Sequence, residues 1–269
     1  MSKDTILTVI KNRDRESILN MLSNDGKIET LSYFAEVLDK RAYFTVTSEG
    51  EIKRKTINPS LPVFAFSDNN EQLADTILES ADLKERSKIS AVSRLSNLEI
   101  KNLKENLFKT MINGNLDFSK KFGKELFLRD RDEFFKTVTL AALMGNMNSL
   151  KPLMVLAFKK LMEKREYNEN VFYLVIAFLT KYRDEFFYYE RACDRCECTL
   201  EELRKSILEN ETLLKSREGL EALTYLKAVE TLDSEKRDRF LLKIKNEIGA
   251  VKKMTPLNKT EEYLLSVFL

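Results

Sequence analysis

From Phe134 to Tyr189 the chain carries its densest apolar pattern, with Met, Phe and Leu recurring at helical spacing. The block reads as three helices. Gly145-Asn146 stops the first, and the polar turn Tyr167-Asn168-Glu169-Asn170 caps the third. Ahead of this block the apolar positions fall into three further helical stripes. Ile6, Leu7, Val9 and Ile10 open the first. Ile18, Leu19, Met21 and Leu22 follow a charged break at Arg13 to Glu16. Leu31, Phe34, Ala35, Val37 and Leu38 come after the turn Asn24-Asp25-Gly26.

The pattern changes at Lys40. Ala42 to Thr47 is rich in β-formers, Ser48-Glu49-Gly50 is a turn, and Glu51 to Ile57 mixes charge with Ile and Thr, which predicts a hairpin. Leu61 to Phe66 is a short apolar run bounded by Asn58-Pro59-Ser60, and a buried strand is expected there. Ser67 to Asn70 supplies a cap for a helix over 71–80. Residues 82–111 stay open between helix and strand. Leu83, Ile89, Val92, Leu95, Leu98, Ile100, Leu103 and Leu107 partly follow a helical stripe that Ser87, Ser90, Ser93 and Ser96 interrupt. Beyond Asp130 only helices are expected, over 131–145, 149–164, 169–192, 199–214, 217–232, 234–250 and 258–268, with a capping box at Thr199. The expected fold is mainly α with a small α+β N-terminal part and a C-terminal helical bundle or stack of helix pairs. The expected division is an α+β module over 1–130 and a helical domain over 131–269.

A helix ending in YFAEVLDKRAYFTV, a turn, and then LPVFAFSDNNEQLADTI resemble the N-terminal domain of the bacterial SseB family. Phe34, Leu38, Tyr43 and Val46 stand at its helix-into-strand signature, and Leu61, Pro62, Val63, Phe64 and Ser67 at its strand-cap-helix signature. The resemblance spans about residues 28–135 and departs from the family at Arg41, at Thr45 to Thr47, and at Asn113-Gly114, where no Pro follows. It implies an α+β domain with a further strand near 108–114, and it implies no catalytic residues.

Composition narrows the chemistry. The 269 residues include no His, which excludes Ser-His-Asp and Cys-His catalysis within this chain and the usual His-built zinc sites. Carboxylates and Lys remain. Only 7 Gly and 4 Pro favour helix, and no phosphate-binding Gly loop or calcium loop occurs. With 45 basic against 43 acidic residues, no overall field steers the chain to nucleic acid or membrane. The longest clean apolar run, Val171 to Leu179, is far short of the ~20 residues that span a bilayer. No signal peptide is recognisable, and three Cys do not make a disulfide framework, so a reducing, cytoplasmic setting is expected.

Three candidate features remain. Cys193, Cys196 and Cys198 form C-x-x-C-x-C, whose thiolates suit zinc or copper(I) if Asp194, Glu197 or a second subunit supplies another ligand. The competing reading is a helix end with free thiols. Lys53, Arg54 and Lys55 form the best basic cluster of the N-terminal part, a candidate for nucleic acid or a solvated hairpin. Phe186, Phe187, Tyr188 and Tyr189, beside Lys181 and Arg183, suit a partner surface or base stacking, against plain packing on a core. The expectation is a non-enzymatic cytoplasmic interaction or adaptor protein with a protein partner. The alternative is an RNA-associated factor of a microbe or virus. No cofactor and no membrane are implied, and a homo-oligomer is compatible with the large helical surface.

Overall fold

The computed structural model describes residues 3–55, 57–163, 165–193 and 196–269. The chain is mainly helical, with one two-stranded antiparallel sheet among the described residues. It divides into two compact units. The first holds residues 1–134 and 157–183, the second 135–156 and 184–269. This differs from a single cut at 130/131. The segment Val171 to Thr180 is buried on every face, so it needs partners all round, and it finds them in the first unit.

The first unit opens with α1 (Lys3–Asn12), α2 (Arg15–Asn24) and α3 (Lys27–Leu38). The hairpin follows as expected: β1 (Phe44–Val46) pairs with β2 (Ile52–Arg54) in the register Phe44↔Arg54, Thr45↔Lys53, Val46↔Ile52. Gly50, at φ +84, makes the turn possible.

The apolar run after it is helical: α4 (Ser60–Phe66), followed by α5 (Asn70–Ser80) under an Asn69 cap. So short an apolar run carries no periodicity that separates strand from helix. Pro62 decides it. It sits in the first helical turn, where its missing N–H has no intrahelical acceptor to lose. The turn is fixed from outside by Asn58, whose Oδ1 accepts from Ser60 N at 2.8 Å and whose Nδ2 donates to Leu38 O at 2.8 Å.

Residues 81–99 form neither helix nor strand. They are an irregular strap in which some backbone N–H groups bond locally, as Lys84 and Glu85 do to Asp82, and others find partners outside the segment. Asp82 N donates to Val37 O and Ser87 N to Glu36 O. Carboxylates take three more, with Ile89 N on Glu36, Val92 N on Glu169 and Ser96 N on Glu125. Burial alone would raise the Glu125 carboxyl, but the bonds from Ser96 and Arg129 outweigh it and hold it below the ordinary range. The region expected near 108–114 as a strand instead closes α6 (Ile100–Ile112), which leads into α7 (Leu116–Arg129). Next come α8 (Arg131–Met144) and α9 (Lys151–Met162), each divided between the units, and then α10 (Glu169–Lys181), capped by Asn168. The core of the first unit is aromatic. Phe127, Phe134, Phe158 and Phe172 lie with ring centroids 5.3–6.2 Å apart, mostly edge to face.

The second unit takes the rest of α8 and α9 with a 3-10 turn at Met147–Ser149. It adds α11 (Phe187–Arg191), α12 (Leu200–Leu208), α13 (Glu211–Leu214), α14 (Arg217–Val229), a 3-10 turn at Ser234–Lys236, α15 (Arg237–Ala250) and α16 (Lys259–Phe268). The single helix expected over 169–192 is two helices, because Tyr182 to Phe186 leave helical geometry. Within that break Asp184 pairs with Lys151 at 2.5 Å. Thr199 and Glu202 form the expected capping box.

Helix α14 is the axis of the second unit, packed by α12, α13, α15 and α16. Gly219 lets it approach α13. A Cβ there would lie 2.2 Å from Leu213 O. Gly219→Ala should therefore destabilise this unit by about 1–3 kcal/mol through forced backbone displacement. Urea unfolding checks this, and a change within the ~0.5 kcal/mol typical of neutral surface substitutions would contradict it.

Candidate anion-binding cleft

The cleft lies in the first unit and grows out of the C-terminal end of α3. That helix end carries the negative pole of the helix dipole, and cations gather there. Asp39 caps α3 with a fully buried side chain. Lys181, the last residue of α10, pairs with it at 2.5 Å and also donates to Lys40 O at 2.8 Å and Ser87 Oγ at 3.3 Å. One ammonium thus ties together the end of α3, the approach to the hairpin and the strap. Tyr43 adds its hydroxyl to Asp39 at 3.3 Å, and burial pushes that phenol well above its ordinary value.

Above this anchor opens a cavity of about 540 Å³ lined by Glu36, Arg41, Arg86, Ser87, Lys88, Tyr173 and Lys181. Four of the seven are cations and one is acidic. Lys181 is committed to Asp39. Arg41, Arg86 and Lys88 are exposed, and none has a carboxylate partner among the described residues. Tyr173 is buried at the base, with Lys120 Nζ 5.5 Å and Lys181 Nζ 5.6 Å from its ring centroid. Burial, and then the Asp39 charge, raise its hydroxyl, so it stays protonated and can donate a hydrogen bond.

The residues that sequence singles out are placed differently. Of the basic triad, Lys55 is paired with Glu85. Arg54 donates to Arg183 O and lies 5.6 Å over the Tyr182 ring. Lys53 alone stays exposed without an ion-pair partner among the described residues. Two of the three cations are therefore engaged by groups of the protein itself.

In the second unit none of Phe186, Phe187, Tyr188 and Tyr189 is fully buried, and Phe187 and Tyr188 meet edge to face at 5.2 Å. Tyr189 stacks on Phe240 at 5.6 Å, and Arg239 sits 4.2 Å over Tyr189. Phe187 remains half exposed beneath Arg191. Cys196 and Cys198 meet with their Sγ atoms 3.2 Å apart, while Cys193 is exposed. Asp194 lies outside the described residues. No group of three or more Cys, Asp or Glu side chains among the described residues is arranged to hold a metal ion.

A second concentration of charge, in the second unit, is closed to solvent. Lys151 pairs with Asp184, and Lys243 lies 3.0 Å from Glu247, with all four side chains at most 9% exposed. Glu247 also accepts from Met147 N at 2.7 Å. A Cβ on Gly145 would lie 2.4 Å from Asp184, so the carboxylate fits only because position 145 has no side chain. This cluster fixes the interior of the unit and offers no opening to a ligand.

Comparison with family models, with curated proteins and with solved structures gives no match. No helix among the described residues is long and apolar enough to cross a membrane.

Proposed function

We propose that the chain binds single-stranded RNA through the cleft of Arg41, Arg86 and Lys88, acting as a nucleic-acid-associated factor. The observation that carries this reading is the set of three exposed cations, without carboxylate partners among the described residues, around one cavity. Guanidinium groups present paired donors that match phosphate oxygens, and a lysine adds a point charge. Lys181 and Ser87 hold the base in place, so the cleft is formed before ligand arrives. The balanced net charge of the chain leaves this local field as the source of attraction.

The test is fluorescence anisotropy with a labelled single-stranded RNA across a salt series. Three phosphate contacts give a log–log salt slope of about −2 from this cleft. The triple variant R41A/R86A/K88A should lose that slope and bind at least about tenfold more weakly at low salt. K53A should change little. Unaltered binding by the triple variant would overturn the reading. So would displacement of the RNA by polyglutamate as readily as by unlabelled RNA.

A further inference from the structure

We propose that Cys196 and Cys198 are a reversible modification site, a dithiol that a peroxide oxidises to an intramolecular disulfide. The inference is independent of the RNA reading. It starts from the 3.2 Å between the two Sγ atoms, in which one thiol hydrogen-bonds the other. Both residues are half-buried, so the pair is reachable yet held. Cys198 directly precedes Thr199, whose side chain accepts from Glu202 N while the Glu202 carboxylate accepts from Thr199 N at 2.7 Å. That capping box fixes the backbone at the start of α12 and keeps Cys198 in position.

The chemistry balances within the pair and the peroxide. The Cys196 thiolate attacks one peroxide oxygen, the O–O bond breaks, and water leaves after protonation, with sulfenic acid left on sulfur. The Cys198 sulfur then attacks that sulfur. The S–O bond breaks, hydroxide departs with the Cys198 proton as a second water, and the S–S bond forms. Two thiols lose two hydrogens, and one peroxide is reduced to two waters. Burial, followed by the hydrogen bond and charge of Cys196, pushes the Cys198 thiol up to about 11, against the opposing charge of Lys245. Cys198 is therefore held as the protonated thiol at neutral pH, which suits it to the second step, where its proton leaves with the hydroxide.

The sequence makes the product readable. Trypsin cuts after Arg191, Arg195 and Arg204, so Cys193 falls on one peptide and Cys196 with Cys198 on the next. The reduced full-length chain is exposed to hydrogen peroxide, alkylated and digested. The expected product is the Cys196–Arg204 peptide, lighter by two hydrogens and unalkylated, beside a Cys193 peptide that alkylates normally. Dithiothreitol should restore both alkylation sites. C193S should keep the full yield, whereas C196S and C198S should each lose it. A disulfide joining the two peptides would overturn the assignment. So would alkylation of both Cys196 and Cys198 under peroxide that oxidises Cys193, or oxygen addition to the pair with no loss of hydrogen.

Discussion

Asp39→Ala is expected to destabilise the first unit by about 3–5 kcal/mol, because it strands a mostly buried ammonium. Asp39 is fully enclosed and Lys181 is 13% exposed, which separates this pair from the surface pairs of the chain. An exposed ion pair is worth about 0–1 kcal/mol. Here the loss includes the cost of leaving Lys181 with the neutral acceptors Lys40 O and Ser87 Oγ and the Tyr173 ring in place of a carboxylate. In a unit of this size the melting temperature should fall by about 6–20 °C. Removing both charges is the informative control. D39L/K181M replaces the pair with apolar groups and should recover most of the loss. A cost below about 1 kcal/mol for D39A alone would show that the pair behaves as a surface contact. The same substitution frees the end of α3 and the strap, so the RNA binding proposed for the cleft should weaken with it.

The helices are legible in the sequence where apolar periodicity is strong. Leu31, Phe34, Val37 and Leu38 predict α3, and the Asn168 cap predicts the start of α10. Legibility fails where side-chain pattern does not determine backbone. The run Leu61 to Phe66 is apolar on every side, and a first-turn Pro carries more information than its apolar neighbours. The strap over 81–99 has enough Leu, Ile and Val to suggest a helix. Its amides are instead taken by Glu36, Glu125 and Glu169, from three different helices. No local signal announces such distant acceptors.

The cleft shows the same limit. Lys53, Arg54 and Lys55 stand out as neighbours in sequence, yet two of them are spent on Glu85 and Arg183. The cations that converge are Arg41, Arg86 and Lys88, the first separated from the other two by a hairpin and two helices. One signal is present in the sequence. Lys84, Arg86, Lys88 and Arg94 stand among serines in a segment with little core to make. A basic, serine-rich stretch that fits neither period is a surface strap before it is a weak helix.

Glu221→Gln should stabilise the second unit, with an advantage that grows as pH rises. Glu221 is 3% exposed, and its carboxyl is pushed up to about 8 by burial and then by the Glu218 charge, with Arg217 opposing. A carboxyl whose folded value lies above its unfolded value of 4.5 keeps its proton on folding. Folding therefore incurs no penalty below about pH 4.5, an increasing one up to about pH 8, and a constant one beyond it. At 1.36 kcal/mol per pH unit the penalty is about 3 kcal/mol at pH 7 and about 5 kcal/mol above pH 8. Lys243 works in the other direction. Burial lowers its ammonium, so its own penalty is relieved as pH climbs toward its unfolded value of 10.5. A single pH–stability curve mixes the two, whereas the difference between native chain and variant cancels Lys243. That difference should be small at pH 4.5 and reach about 3–5 kcal/mol by pH 9, less the cost of placing an amide where one carboxylate oxygen already lacks a partner. Urea titrations of both proteins at pH 4.5, 7 and 9 measure it, and parallel curves would mean that Glu221 is ionised in the folded unit at neutral pH.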